Sequence, residues 1–242
     1  MEKLSTEITT LLNKIQEVSE DYADLKDIFL DDNSVELFED SVSTIKFLNN
    51  SRKAFSLIKF KFFLKGLNHE NVDKESISML IEYVDNPIKA EFITNSFAKI
   101  VTANSKLACC IMGLMLNEMT KNKREVSQEE LMILQALPML NDFDIKNFNY
   151  LYQVVLHRKG KNHNIMDRDY SKAAQICHTT TCNIKLTVDV LEKYNLVDKD
   201  ADVSLDIDAD DLDFSSVDYD EDVYFNSLSD KLYMYSSILF KE

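Results

Sequence analysis

Three glycines and two prolines in 242 residues leave this chain few places to make tight turns. All-β folds and Gly-rich nucleotide folds need many turn and phosphate-loop glycines. Helices joined by short polar turns need few. With 45% apolar residues available for a core, the scarcity predicts a mainly α protein of one large or two small domains.

Hydrophobic spacing places helices over 35–47, 75–84, 88–103, 106–119 and 143–156, and another that starts at 127 and stops at Pro138. Ser127 and Glu130 have the spacing of a capping box. The most apolar run, 107–116, is ten residues long. That is half of what a bilayer requires, so it reads as a buried central helix.

Leu4, Ile8, Leu11, Ile15, Val18, Tyr22 and Leu25 follow a 4, 3, 4, 3, 4, 3 spacing. This is the a/d seam of a helix that packs on its own domain or pairs with a second copy. Residues 1–30 are therefore a candidate dimerisation element.

From Ser41 to His69 there is no acid. Arg52, Lys53, Lys59, Lys61 and Lys65 alternate with Phe55, Phe60, Phe62 and Phe63. Phe55, Ile58 and Phe62 define one helical stripe, widened by Leu57, Phe60, Leu64 and Leu67. Such a helix can be a core element with snorkelling lysines, or a basic face for nucleic acid or membrane.

The acidity is local. Asp198, Asp200, Asp202, Asp206, Asp208, Asp210, Asp211, Asp213, Asp218, Asp220, Glu221 and Asp222 stand against a single base, Lys199. This tract carries −11 of the total −15, leaving about −4 for everything else. It borders two stretches of alternating residues, 203–208 and 222–226, that read as a hairpin. Helices over 170–177 and 182–194 precede the hairpin, with Ile184, Val188 and Leu191 inward, and a last helix spans 229–240.

Helix, tight turn, helix, the phrase Leu-Glu-Lys-Tyr-Asn-Leu-Val at 191–197 and then a hairpin resemble a winged helix. Residues 223–232 are similar to its second wing strand and closing helix, with Lys231 near where glycine is common. The resemblance implies a helical domain over 1–157, a polar linker over 158–168, and a small α+β module over 169–242 with an acidic wing at 198–222. Segments 59–67 and 88–93 also resemble the helical core of some bacterial and phage proteins, which implies helix and such an origin but no activity.

A winged helix that reads DNA needs a cationic second helix and a basic wing, because phosphate contacts supply much of the affinity. Here Lys185 and Lys193 are balanced by Asp189 and Glu192, and the wing is strongly negative. The module is therefore expected to bind protein rather than DNA.

Chemical motifs are few. There is no phosphate loop, His-Glu-x-x-His or Cys-x-x-Cys. Cys177, His178 and Cys182 could join His157 or His163 at a metal only if the turn at 178–181 were helical. The run from Asp206 puts Asp211 and Val217 where a calcium loop needs glycine and glutamate. No cofactor, metal or catalytic residue is assigned.

With Cys109, Cys110, Cys177 and Cys182 read as reduced thiols and no apolar leader at Met1–Leu4, a cytoplasmic location is expected. The function expected is a non-catalytic interaction or regulatory factor, with phage–bacterium defence or counter-defence as one setting. Its acidic residues 206–222 would engage a basic protein partner, mimicry of DNA charge being a special case. The alternative is a DNA-binding regulator that uses the winged-helix module, the basic stretch 52–65 or the loop 121–124.

Overall fold

The computed structural model describes residues 10, 11, 13, 14, 51–67, 74–158, 163–205 and 217–240, with backbone alone over 51–57, 74–76, 201–205 and 217–221. Within them the protein is mainly helical and carries a small three-stranded antiparallel sheet. It divides into two compact units, Met1–Asp142 and Phe143–Glu242.

The first unit contains α1 (Ser51–Leu67), α2 (Lys74–Tyr83), α3 (Pro87–Thr102), α4 (Lys106–Asn122) and α5 (Gln128–Ala136), then a 3-10 turn at Leu137–Met139. The helix starts follow local chemistry. Asn86 caps α3 by accepting from the Lys89 amide, with Pro87 in the first turn. Ser105 caps α4 by accepting from the Ala108 amide. The Ser127–Glu130 capping box is present in full at α5.

α4 is the centre of this unit, and every residue from Ala108 to Asn117 is buried. α1 crosses it with glycines on both sides of the contact. A Cβ on Gly113 would lie 2.0 Å from the Phe63 carbonyl oxygen, and one on Gly66 would lie 2.0 Å from the Cys110 carbonyl oxygen. Only residues without a Cβ let the backbones approach this closely. Two of the three glycines thus serve one helix crossing.

That crossing rotates α1 from the expected stripe. Phe60, Phe63, Leu64 and Leu67 are buried, whereas Ile58 is exposed and Phe62 only half-buried. Phe60, Phe63 and Phe97 form an edge-and-stack cluster with centroids 5.5–5.8 Å apart. Of the heptad positions, Leu11 is helical and fully buried. Leu4, Ile8, Ile15, Val18, Tyr22 and Leu25 lie outside the described residues.

The second unit contains α6 (Asp142–Leu156, its first residue assigned to the first unit), β1 (Asn164–Ile165), α7 (Asp167–Cys177), α8 (Thr181–Lys193), β2 (Val197–Leu205), β3 (Val217–Phe225) and α9 (Ser227–Ser236), then a 3-10 turn at Ser237–Phe240. The sheet order is β1–β3–β2. The two compact units part between Asp142 and Phe143, upstream of the polar segment 158–168. α6 packs with the sheet and α9: Phe148 meets Phe225 edge-on at 5.9 Å, and Tyr152 stacks on Tyr233 at 4.2 Å.

The polar segment read as a linker is tied at both described ends. Arg158 pairs with Asp169 and donates to the Asn164 carbonyl at 2.6 Å, and residues 164–165 form β1.

Buried polar groups in this unit are matched. Thr187 donates to Asp144 at 3.2 Å and accepts from the Asn147 amide at 3.0 Å. Asn149 donates to Ser236 at 3.0 Å. Such satisfied contacts orient α8 on α6 without leaving desolvated groups.

Candidate functional site

β2 and β3 pair over nine positions, from Val197↔Phe225 to Leu205↔Val217. Residues directly opposite one another share a face of the ribbon, and faces alternate along each strand. The register sets Asp198 against Tyr224, Asp200 against Asp222, Asp202 against Asp220, and Ser204 against Asp218. One face therefore carries six aspartate positions. The opposite face starts at Val197, Val223 and Phe225, all buried.

Like charges directly opposite across strands are destabilising, and Asp200↔Asp222 and Asp202↔Asp220 are such pairs. Lys199, the only base in the tract, sits opposite Val223 on the other face. Its ammonium is 2.9 Å from both Asp189 and Glu192 of α8. The Tyr224 phenol is held above its ordinary pKa by desolvation, then by its hydrogen bond to Asp222 and the charges of Asp222 and Asp200.

Asp206, Asp208, Asp210, Asp211 and Asp213 lie outside the described residues. Asp218, Asp220 and Glu221 are placed by backbone register alone.

α8 presents no cationic face. Lys185 is 3.1 Å from Asp167 and 5.2 Å over the Tyr170 ring, and Lys193 lies 5.9 Å over Tyr194. The helix also exposes Leu186.

Of the basic stretch, the side chains of Lys59, Lys61 and Lys65 are described. Lys59 Nζ donates to the Val101 carbonyl at 3.0 Å, closing the C-terminus of α3. Lys61 and Lys65 are exposed, while Phe63 between them turns into the core and Phe62 is half-buried. Side chains of Arg52 and Lys53 lie outside the described residues. The segment 121–124, expected as a loop, begins with the last two residues of α4, and its Arg124 is held by Glu118 and the fully buried Glu130.

Cys109, Cys110 and Cys177 are buried and Cys182 is exposed. Burial pushes the Cys109 thiol up to about 12 and the Cys110 thiol to about 11. His178 closes α7 in the left-handed conformation at φ 53°. Among the described residues, no group of three or more His, Cys, Asp or Glu is placed to hold a metal ion, and no helix is long and apolar enough to cross a membrane.

Sequence reading missed two features of this region. β1 is too short to show any alternation. At its end a cavity of about 460 Å³ opens between α7, α8 and the sheet, with Asp222 on its rim. Neither could be read from spacing, because the lining residues come from five separate elements.

The chain matches no protein-family model, no curated protein and no solved structure.

Proposed function

We propose that this protein is a non-catalytic interaction or regulatory factor whose second unit is a winged-helix module, and that its acidic ribbon docks a basic segment of a protein partner. The winged-helix reading is supported by α7 and α8 joined by a tight turn, followed by a hairpin that pairs with the short β1. The observation that carries the docking reading is the register, which gathers six aspartate positions on one ribbon face and leaves Lys199 on the other.

Charge density favours a protein partner over complete imitation of a duplex. The six acids occupy four register levels, or three steps of about 6.7 Å each. That gives about one charge per 3.4 Å, half the density of duplex DNA. DNA reading is opposed by the same face, since phosphates meet repulsion at the ribbon, and α8 offers only two lysines, of which Lys185 is paired with Asp167.

The test compares wild type with the triple variant Asp200→Asn, Asp202→Asn, Asp220→Asn, using anisotropy of a labelled peptide rich in arginine and lysine. The reading expects the variant to bind about tenfold more weakly or worse. Equal binding by the two proteins overturns it.

A further inference from the structure

β2 is an outer strand of the sheet. In the order β1–β3–β2 it pairs with β3 on one side and, among the described residues, with no strand on the other. It runs for nine residues, against about five or six for an ordinary strand. Alternate residues of such a strand turn their amide and carbonyl groups to the open side, where they can pair with a further strand. The far edge of β3 offers less. β1 occupies it at Tyr224 and Val223, and α7 begins two residues beyond Ile165.

Folded proteins commonly protect an open edge with a proline, a bulge or a charge. Residues 197–205 contain no proline. The register from Val197↔Phe225 to Leu205↔Val217 advances one residue at a time, without a bulge. Charge is the device that remains. Asp198, Asp200 and Asp202 recur at every second position, so the three belong to one face.

That spacing selects among possible fourth strands. A second copy of β2 added in the same orientation sets aspartate positions against one another, which is destabilising. Any other acidic strand is repelled likewise. A strand with lysine or arginine at every second position sets an opposite charge across from each of the three aspartate positions, while its amides and carbonyls extend the ladder.

We propose that the open edge of β2 takes up an extended basic segment of the partner as a fourth strand of the sheet. The backbone edge carries the binding. The two-residue spacing of the aspartates selects basic residues at alternate positions over the same residues in a block. Between them stand β-branched residues, which favour an extended chain. The proposal rests on the docking reading above and adds the conformation of the bound segment, its sequence pattern and the edge it uses.

The test uses the full chain and four labelled peptides of one composition. One alternates lysine and threonine, and one holds the same residues in two blocks. The other two are the alternating peptide N-methylated at every lysine or at every threonine. In an extended chain successive amides point to opposite edges, so each methylated form loses the donors of one edge and keeps those of the other.

Anisotropy titration is expected to show the alternating peptide binding about tenfold more tightly than the block peptide. One methylated form is expected to bind like its parent and the other about tenfold more weakly or worse. Amide hydrogen exchange at alternate residues of β2 is expected to slow in the complex. The strand proposal falls if the block peptide binds as tightly, if the two methylated forms bind alike, or if exchange in β2 is unchanged. Ribbon docking still stands in those cases when the triple aspartate variant binds the peptides more weakly than wild type. If no basic peptide binds wild type, both fall.

Discussion

The ammonium of Lys199 on β2 lies 2.9 Å from the Asp189 carboxylate on α8, so the only base of the acidic tract is engaged on the face away from the aspartate ladder. It also lies 2.9 Å from Glu192. This relationship explains two things together: Lys199 offsets one of the two carboxylate charges of α8, and the ribbon keeps its full negative face. Lys199→Met is expected to lower stability by about 1 kcal/mol, a modest loss because both acids are largely solvated. It is also expected to strengthen binding of a basic peptide. Urea unfolding and peptide titration check the two effects separately.

The α1–α4 crossing makes a sharper stability prediction. A methyl at Gly113 would meet α1 backbone atoms, the Phe63 carbonyl oxygen at 2.0 Å and the Leu67 amide nitrogen at 2.8 Å, and backbone cannot move aside as a side-chain tip can. Gly113→Ala is expected to cost about 3 kcal/mol or more and to lower Tm by about 6–12 °C, despite alanine's better helix propensity. Gly66→Ala is expected to act similarly. The double variant should cost less than the sum of the two, because one separation of the helices relieves both clashes. Calorimetry of the four proteins tests this.

Arg124 joins Glu118 of α4 to the fully buried Glu130 of α5. Removing the cation leaves a buried carboxylate that still accepts from the Ser127 amide at 2.9 Å but has lost its guanidinium. Arg124→Met is expected to destabilise by about 3–5 kcal/mol. Restoring the balance with Glu130→Gln in the same chain should recover part of the loss. Denaturant midpoints of the single and double variants measure it.

Alkaline stability should follow the buried thiols of α4. In the folded protein Cys109 and Cys110 have pKa values raised to about 12 and about 11, while unfolded thiols titrate near 8.5. The folded state therefore holds its thiol protons more tightly. The resulting stabilisation is fully present below about pH 8.5 and is lost as pH rises towards 11–12. Unfolding midpoints at a series of pH values should fall across that window. A thiol reagent at neutral pH should label Cys182 first and reach Cys109 and Cys110 only on unfolding.

Much of the fold was legible where one local rule acted alone. The Ser127–Glu130 box and the inward face of α8 at Ile184, Val188 and Leu191 appear as their spacing indicated. Failures came where a distant element decided. α1 looked as if it would bury Phe55, Ile58 and Phe62, but close approach at Gly66 and Gly113 turns Phe63 inward and leaves Ile58 in solvent.

β1 is two residues long, and its identity comes from pairing with Val223 and Tyr224, fifty-eight residues or more further on. The acidic tract was visible as composition, whereas its separation into an aspartate face and an apolar face is a property of the β2–β3 register. The cavity between α7, α8 and the sheet was not legible at all, because it exists only where these elements converge.

The central claim is that the second unit recognises cations and not phosphates. The most direct measurement is anisotropy titration of the full chain against a labelled arginine- and lysine-rich peptide and a labelled DNA duplex, each at about 50 and about 200 mM salt. The account predicts that the peptide binds with affinity falling as salt rises, and that the duplex does not bind at either salt. Duplex binding with a steep negative salt slope, together with no binding of the peptide, would contradict it.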